Sequence, residues 1–119
     1  MSRSSYRKIK AYITKDGSEI RELMHPGVHG NANQSLAEAR VPPGALTLAH
    51  RHRVSEEIYH FTAGRGVMGL GETTFAVAAG DTVAISPGTT HWLENPGPGP
   101  LVVLCACSPA YSHEDTELA

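Results

Sequence analysis

Three histidines and one glutamate, His50, His52, Glu57 and His91, set the chemistry open to this chain of 119 residues. His50 and His52 flank Arg51. On a β-strand, residues i and i+2 project from the same face, so both imidazoles can reach one point. Glu57 follows five residues after His52. Residues 53–55, Arg-Val-Ser with polar ends, are expected to supply a turn at which the chain can double back and present Glu57 from the neighbouring strand. His91 lies 34 residues further on, just after Pro87-Gly88, a pair that turns the chain into a new strand. Three imidazoles and one carboxylate are a typical donor set for Fe, Mn, Ni, Cu or Zn. Facing imidazoles buried without a metal would need a partner for every ring nitrogen, which weighs against a purely structural role.

Short strands must position these groups. Gly (12) and Pro (8) break the chain every few residues, and no window of a dozen residues keeps a 3.6-residue period. β-Rich runs occur at 9–13, 35–41, 46–50, 56–62, 66–70, 73–77, 82–85, 91–94 and 101–107, with turn residues between them. Many short strands with frequent turns predict an all-β sandwich or barrel. The runs at 66–70 and 73–77, joined by Gly71-Glu72, predict a tight hairpin. Residues 14–34 read as a loop-rich arm and residues 108–119 as an irregular tail. Neither a repeat nor a linker divides the chain, so residues 1–119 are expected to form one domain.

The glycines around the four candidate ligands sharpen this reading. Gly44, five residues, His50, one residue, His52, four residues, Glu57, six residues and Gly64 make one pattern over 44–64. Gly80, five residues, Ser86-Pro87-Gly88, two residues, His91, three residues and Asn95 make a second over 80–95. Together they resemble the two motifs of the cupin superfamily, with Ser86 where that family usually has proline. The 15 residues between Gly64 and Gly80 match small single-domain members. The resemblance implies an antiparallel jelly-roll β-barrel of six to eight strands with a metal inside, held by His50, His52, Glu57 and His91. The family spacing selects Glu57 over the adjacent Glu56.

Other residues carry weaker signals. Tyr59 shares the inward face with Glu57 and is a candidate proton donor, base or substrate contact, although strands also favour tyrosine for packing alone. His60 and Trp92 alternate away from the metal. His25, His29 and His113 read as loop histidines. Met68 and Phe75 are expected to line the pocket or the core. Arg51 alternates outward between its two histidines. Cys105 and Cys107 lie two apart on a strand, with Cα atoms about 6.5–7 Å apart, so they are expected to be buried thiols and not a disulfide.

Composition excludes several classes. Ten Lys and Arg against 12 Asp and Glu leave a net charge of −2 and no basic face, so no nucleic-acid partner is expected. No signal peptide and no apolar run of membrane-spanning length is visible, which predicts a cytoplasmic protein and no membrane partner. The expected cofactor is one divalent transition metal: Fe, Mn, Ni, Cu or Zn. The expected function is a metal-dependent enzyme acting on a small oxygen-bearing metabolite, with dioxygenase chemistry first. A sugar or sugar-phosphate isomerase, epimerase or lyase using the metal as a Lewis acid is the second reading, and a non-enzymatic small-molecule-binding cupin the third. A homodimer pairing through residues 9–13 is expected, since small barrels have sheet edges to cover.

Overall fold

The computed structural model describes residues 2–119 and is built from strands. Their order along the chain is β1 (Tyr12–Ile13), β2 (Glu19–Met24), β3 (Ser35–Val41), β4 (His50–His52), β5 (Glu56–Ala63), β6 (Arg65–Leu70), β7 (Thr73–Ala78), β8 (Thr82–Ile85), β9 (His91–Glu94), β10 (Leu101–Ser108) and β11 (Thr116–Leu118). Among the described residues, helical structure is limited to a 3-10 turn at Tyr6–Lys8 and a single α-turn at Pro26–His29. Two antiparallel sheets face each other, in the orders β1-β2-β3-β10-β5-β8 and β11-β4-β9-β6-β7. This is the jelly roll that the motifs imply. The described residues form eleven strands instead of six to eight, because β1, β2 and β11 extend the sheets.

Alternation along the central strands buries one face of each. On β5, residues Glu57, Tyr59 and Phe61 point inward, while Glu56, Ile58, His60 and Thr62 point outward. On β3, Ser35, Ala37, Ala39 and Val41 point inward. The apolar core forms where Ile20, Val41, Phe61, Met68, Val77, Ile85, Leu93, Leu101 and Val103 meet between the sheets. The hairpin expected around Gly71-Glu72 is present, with Leu70 opposite Thr73. Met68 is fully buried and Phe75 packs against the core from its rim.

Three segments differ from the sequence reading. Residues 14–34 are not loop-rich throughout: Glu19–Met24 forms β2, which pairs with β3. Its inward positions are Ile20 and Glu22, and the charged Glu22 breaks the apolar alternation by which a strand is recognised. The run at 46–50 is not a strand. The strand begins at His50, and Leu46 makes one isolated bridge to Glu94. Thr47 N–H donates to Leu93 O, and Leu48 N–H donates to Asp16 O. These backbone groups are therefore satisfied outside a ladder, and Leu46 and Leu48 remain exposed. The tail is not irregular to its end, because Thr116–Leu118 pairs with β4 as β11.

The glycine that closes the first motif has a steric reason. Gly64 has φ +81°, and a Cβ there would stand 2.3 Å from the carbonyl oxygen of Pro100. No backbone-preserving adjustment relieves both constraints. Gly64→Ala is accordingly expected to destabilise the chain by about 2 kcal/mol or more, read as a lower denaturant midpoint at unchanged m-value.

Candidate metal centre

His50 and His52 stand on β4, and His91 stands directly opposite His50 on the paired strand β9. Glu57 does not come from a neighbouring strand. β5 belongs to the facing sheet, so Glu57 approaches across the interior of the barrel. The two-residue spacing acts as expected: His50 and His52 are both buried while Arg51 points out to pair with Glu117 of β11. One ring nitrogen from each of His50, His52 and His91 lies within 4.8 Å of the other two. Glu57 Oε1 lies 3.0 Å from His52 Nε2 and 3.3 Å from His91 Nε2. All four residues are at most 5% exposed.

The hydrogen bonds behind the rings assign their tautomers. His50 Nδ1 lies 3.0 Å from the carbonyl of Leu48, and His91 Nδ1 lies 2.9 Å from the carbonyl of Thr89. A carbonyl only accepts, so each Nδ1 carries the hydrogen. His52 Nδ1 lies 2.9 Å from Thr116 Oγ1, and that hydroxyl donates its own hydrogen to Ser112 O at 2.8 Å. His52 Nδ1 is therefore the donor in its pair. In the neutral rings all three Nε2 atoms are bare. A nitrogen lone pair at His52 then faces the carboxylate of Glu57, and the buried His91 Nε2 has no hydrogen-bond partner. Lone pairs and an anion at this separation repel unless a proton or a cation stands between them. The donor set present thus fits a divalent metal, with each outer ring nitrogen anchored as metal-binding histidines require.

Electrostatics agree with this arrangement. Burial alone would push the Glu57 carboxyl up, but with protons instead of a metal on the facing nitrogens, hydrogen bonds and charge from His52 and His91 hold it down at about 2. Burial, reinforced by His91, lowers His50, against the opposing pull of the Leu48 carbonyl and of Asp16. Asp16 Oδ2 lies 3.7 Å from His50 Nδ1, and its other oxygen accepts from Ser18. On the far side of Glu57, the Cys107 thiol donates to Oε2 at 3.3 Å. Burial and the Glu57 charge keep that thiol protonated.

A cavity of about 50 Å³ opens beside His50, His52 and Glu57. Tyr59 lines it with its ring edge-on to His91, 5.7 Å between centroids. Burial, and then the charge of Glu57, raise the Tyr59 hydroxyl well above its usual range. The Tyr59 hydroxyl is therefore held in its protonated form. Cys105 and Cys107 are free, buried and on the cavity wall.

The remaining candidates lie elsewhere. His60 is exposed and paired with Thr82. Trp92 covers Gly69 on the outer face of the second sheet, where a Cβ would strike its indole. His25 caps the α-turn and contacts Tyr111 O, and His113 contacts the Tyr111 hydroxyl. Sequence reasoning missed Thr116, Asp16, Cys107 as a partner of Glu57, and Glu22. The first two sit 64 and 34 residues from the histidines they support, a separation with no local signature. An acidic residue at an inward position of β2 would have been the only clue to Glu22.

Comparison with known proteins places the chain. The family model described as the cupin domain matches residues 37–107. An uncharacterized protein of Methanocaldococcus jannaschii is 55% identical over 116 residues, covering 98% of this chain and 93% of its relative. The oxalate-binding protein of Thermotoga maritima is 31% identical over 79 residues, 66% of this chain and 65% of that one. Among solved structures, oxalate decarboxylase of Lactobacillus farciminis superposes with a TM-score of 0.80 at 24% identity, over 94% of this chain and 34% of that chain. A two-sheet jelly roll with a buried histidine cluster between its sheets defines the class. The chain belongs to the cupin family.

The lowered Glu57 carboxyl has a consequence for stability. A group whose pKa falls on folding stabilises the native chain above its unfolded value and loses that contribution as the pH drops. For Glu57 the window runs from about pH 5 down to about 2, and the effect is on the order of 3 kcal/mol. In chelator-treated protein, Glu57→Gln is expected to flatten the fall of denaturant stability across that window. An unchanged slope would show that Glu57 is not held down by its histidines.

Proposed function

We propose that this chain is a metal-dependent cupin enzyme acting on a small oxygen-bearing metabolite. One divalent transition metal, Fe, Mn, Ni, Cu or Zn, is held by His50, His52, Glu57 and His91. The observation that carries this reading is the set of three imidazoles with Nδ1 anchored and Nε2 bare, turned on one point against a buried carboxylate. When bound, such a metal supplies Lewis acidity and, if redox-active, chemistry with O₂. Three neutral rings and one carboxylate leave a divalent ion one positive charge, which favours an enolate or carboxylate ligand beside it. Tyr59, kept protonated by burial, donates a hydrogen bond to a ligand in the cavity. Thr116 and the carbonyls of Leu48 and Thr89 hold the rings in place, and Cys107 holds the second carboxylate oxygen.

Dioxygenase chemistry is the first form of this proposal. The similarity to an oxalate-binding protein favours a second, in which the metal serves as a Lewis acid for a lyase reaction on a small acid. Oxygen consumption without CO₂ release separates the first from the second. Tight binding with no turnover would leave a ligand-binding cupin. Elemental mass spectrometry on protein purified without chelator is expected to find about one transition metal per chain, and His91→Ala is expected to lose most of it. No metal in the parent would overturn the reading.

Homodimerisation belongs to the same proposal. β1 is the open edge of the six-stranded sheet, and Ile13 on it is 67% exposed. An unpaired edge with exposed apolar residues suits a second copy. Sedimentation at micromolar concentration is expected to give a dimer that Ile13→Lys weakens, and a monomeric parent would refute it.

A further inference from the structure

The cavity has a second polar end. Pairing across the six-stranded sheet sets Glu22 opposite Ala37, Ala37 opposite Cys105, and Cys105 opposite Tyr59. These four residues form one row on the inner face. Glu22 and Tyr59 are three strand spacings apart, about 14 Å along the sheet. Between them stand an alanine and a cysteine, too small to fill the space, and the cavity runs over them. It is lined by Tyr59 and Glu57 on one side and by Glu22 and Tyr12 on the other.

The Glu22 carboxylate is incompletely satisfied. The Tyr12 hydroxyl donates to Oε1 at 3.3 Å, while Oε2 is buried and has no hydrogen-bond partner. Lys15 lines the same cavity, but its ammonium is taken by the carbonyls of His113 and Thr116 at 3.0 and 2.9 Å. Among the described residues no cation forms a salt bridge with Glu22. A buried carboxylate oxygen without a donor is costly, and a donor supplied by a ligand would relieve it.

We propose that Glu22 is a specificity-determining residue: its Oε2 accepts a hydrogen bond from a hydroxyl or ammonium group at the far end of a short carboxylic acid whose carboxylate faces the His50, His52, Glu57 and His91 centre. This rests on the metal-centre reading above. A cavity of about 50 Å³ has room for roughly four waters, so the acid carries only a few heavy atoms. A second carboxylate at the Glu22 end meets a like charge and is disfavoured. A methyl group there leaves Oε2 unpaired.

The test uses the full chain loaded with Co²⁺, whose visible spectrum reports ligands at the metal. It is titrated with 3-hydroxypropionate, β-alanine, propionate and malonate. The first two are expected to bind about tenfold or more tightly than propionate, the difference made by one hydrogen bond to a charged acceptor, with malonate the weakest. Glu22→Leu is expected to abolish this preference while leaving Co²⁺ content and propionate binding as in the parent. Glu22→Gln keeps an acceptor of the same shape, and is expected to retain the preference for 3-hydroxypropionate and reduce that for β-alanine. Equal affinities, malonate binding tightest, no response to any of the acids, or a ranking unchanged in Glu22→Leu would each overturn the proposal. If the parent takes up no Co²⁺, the metal-centre reading fails by itself. Calorimetry of the same acids on the metal-free chain then decides for Glu22: a preference lost in Glu22→Leu supports it, and no preference overturns it.

Discussion

An electron-rich cluster buried in an apolar barrel is the constraint around which this structure is arranged. Three bare imidazole nitrogens converge, with the Glu57 carboxylate against those of His52 and His91, where water is largely excluded. Such a cluster is unfavourable by itself, since lone pairs and negative charge repel and burial weakens their solvation. It persists because each ring is tied from behind and because the arrangement suits a cation. The Leu48 and Thr89 carbonyls precede His50 and His91 by two residues, just ahead of β4 and β9, so these anchors come with the local backbone. The anchor of His52 is different in kind. Thr116 is brought from the chain terminus by β11, which exists only as a partner of β4. The last strand therefore orients a side chain at the centre as well as extending a sheet.

The two sheets divide the work. The five-stranded sheet carries the three histidines on adjacent strands, and the six-stranded sheet carries Glu57, Tyr59 and the cavity floor. A facing pair of sheets lies about 10 Å apart, a separation that side chains from both sides fill in a packed core. Near the centre the inward residues of β3 and β10 are Ser35, Ala37, Cys105 and Cys107, all small, and the space they leave is the cavity. Further along the same strands, Val41, Leu101 and Val103 restore close packing. The change from small to large side chains along two strands separates the site from the core.

Much of this was legible beforehand, for identifiable reasons. β3, β5 and β10 are legible because each is a run of seven or eight residues rich in strand-forming types between turn residues. The glycines of the two motifs mark turns whose geometry needs them, as the clash at Gly64 shows. β2 was missed because Glu22 occupies an inward position, where a strand pattern calls for an apolar residue. The extent of β4 was misjudged because residues 46–49 have strand-like composition but find their hydrogen bonds in Asp16 and Leu93. Composition records what a segment could pair with, and pairing depends on what lies beside it.

By itself the sequence determined the candidate ligand set, the turns that separate the strands, the jelly-roll class and the sharing of one face by His50 and His52. The turns and the shared face follow from local spacing, because strand alternation and turn geometry act over a few residues, while the full ligand set and the jelly-roll class follow from the resemblance of the two motifs to the cupin family. Only the tertiary structure decided that Glu57 arrives from the opposite sheet, that Thr116 and Cys107 complete the surroundings of His52 and Glu57, and that Glu22 shares a cavity with the centre. These relations join residues up to 64 positions apart, as His52 and Thr116 are. No local pattern encodes them, since they arise only when the two sheets close on each other.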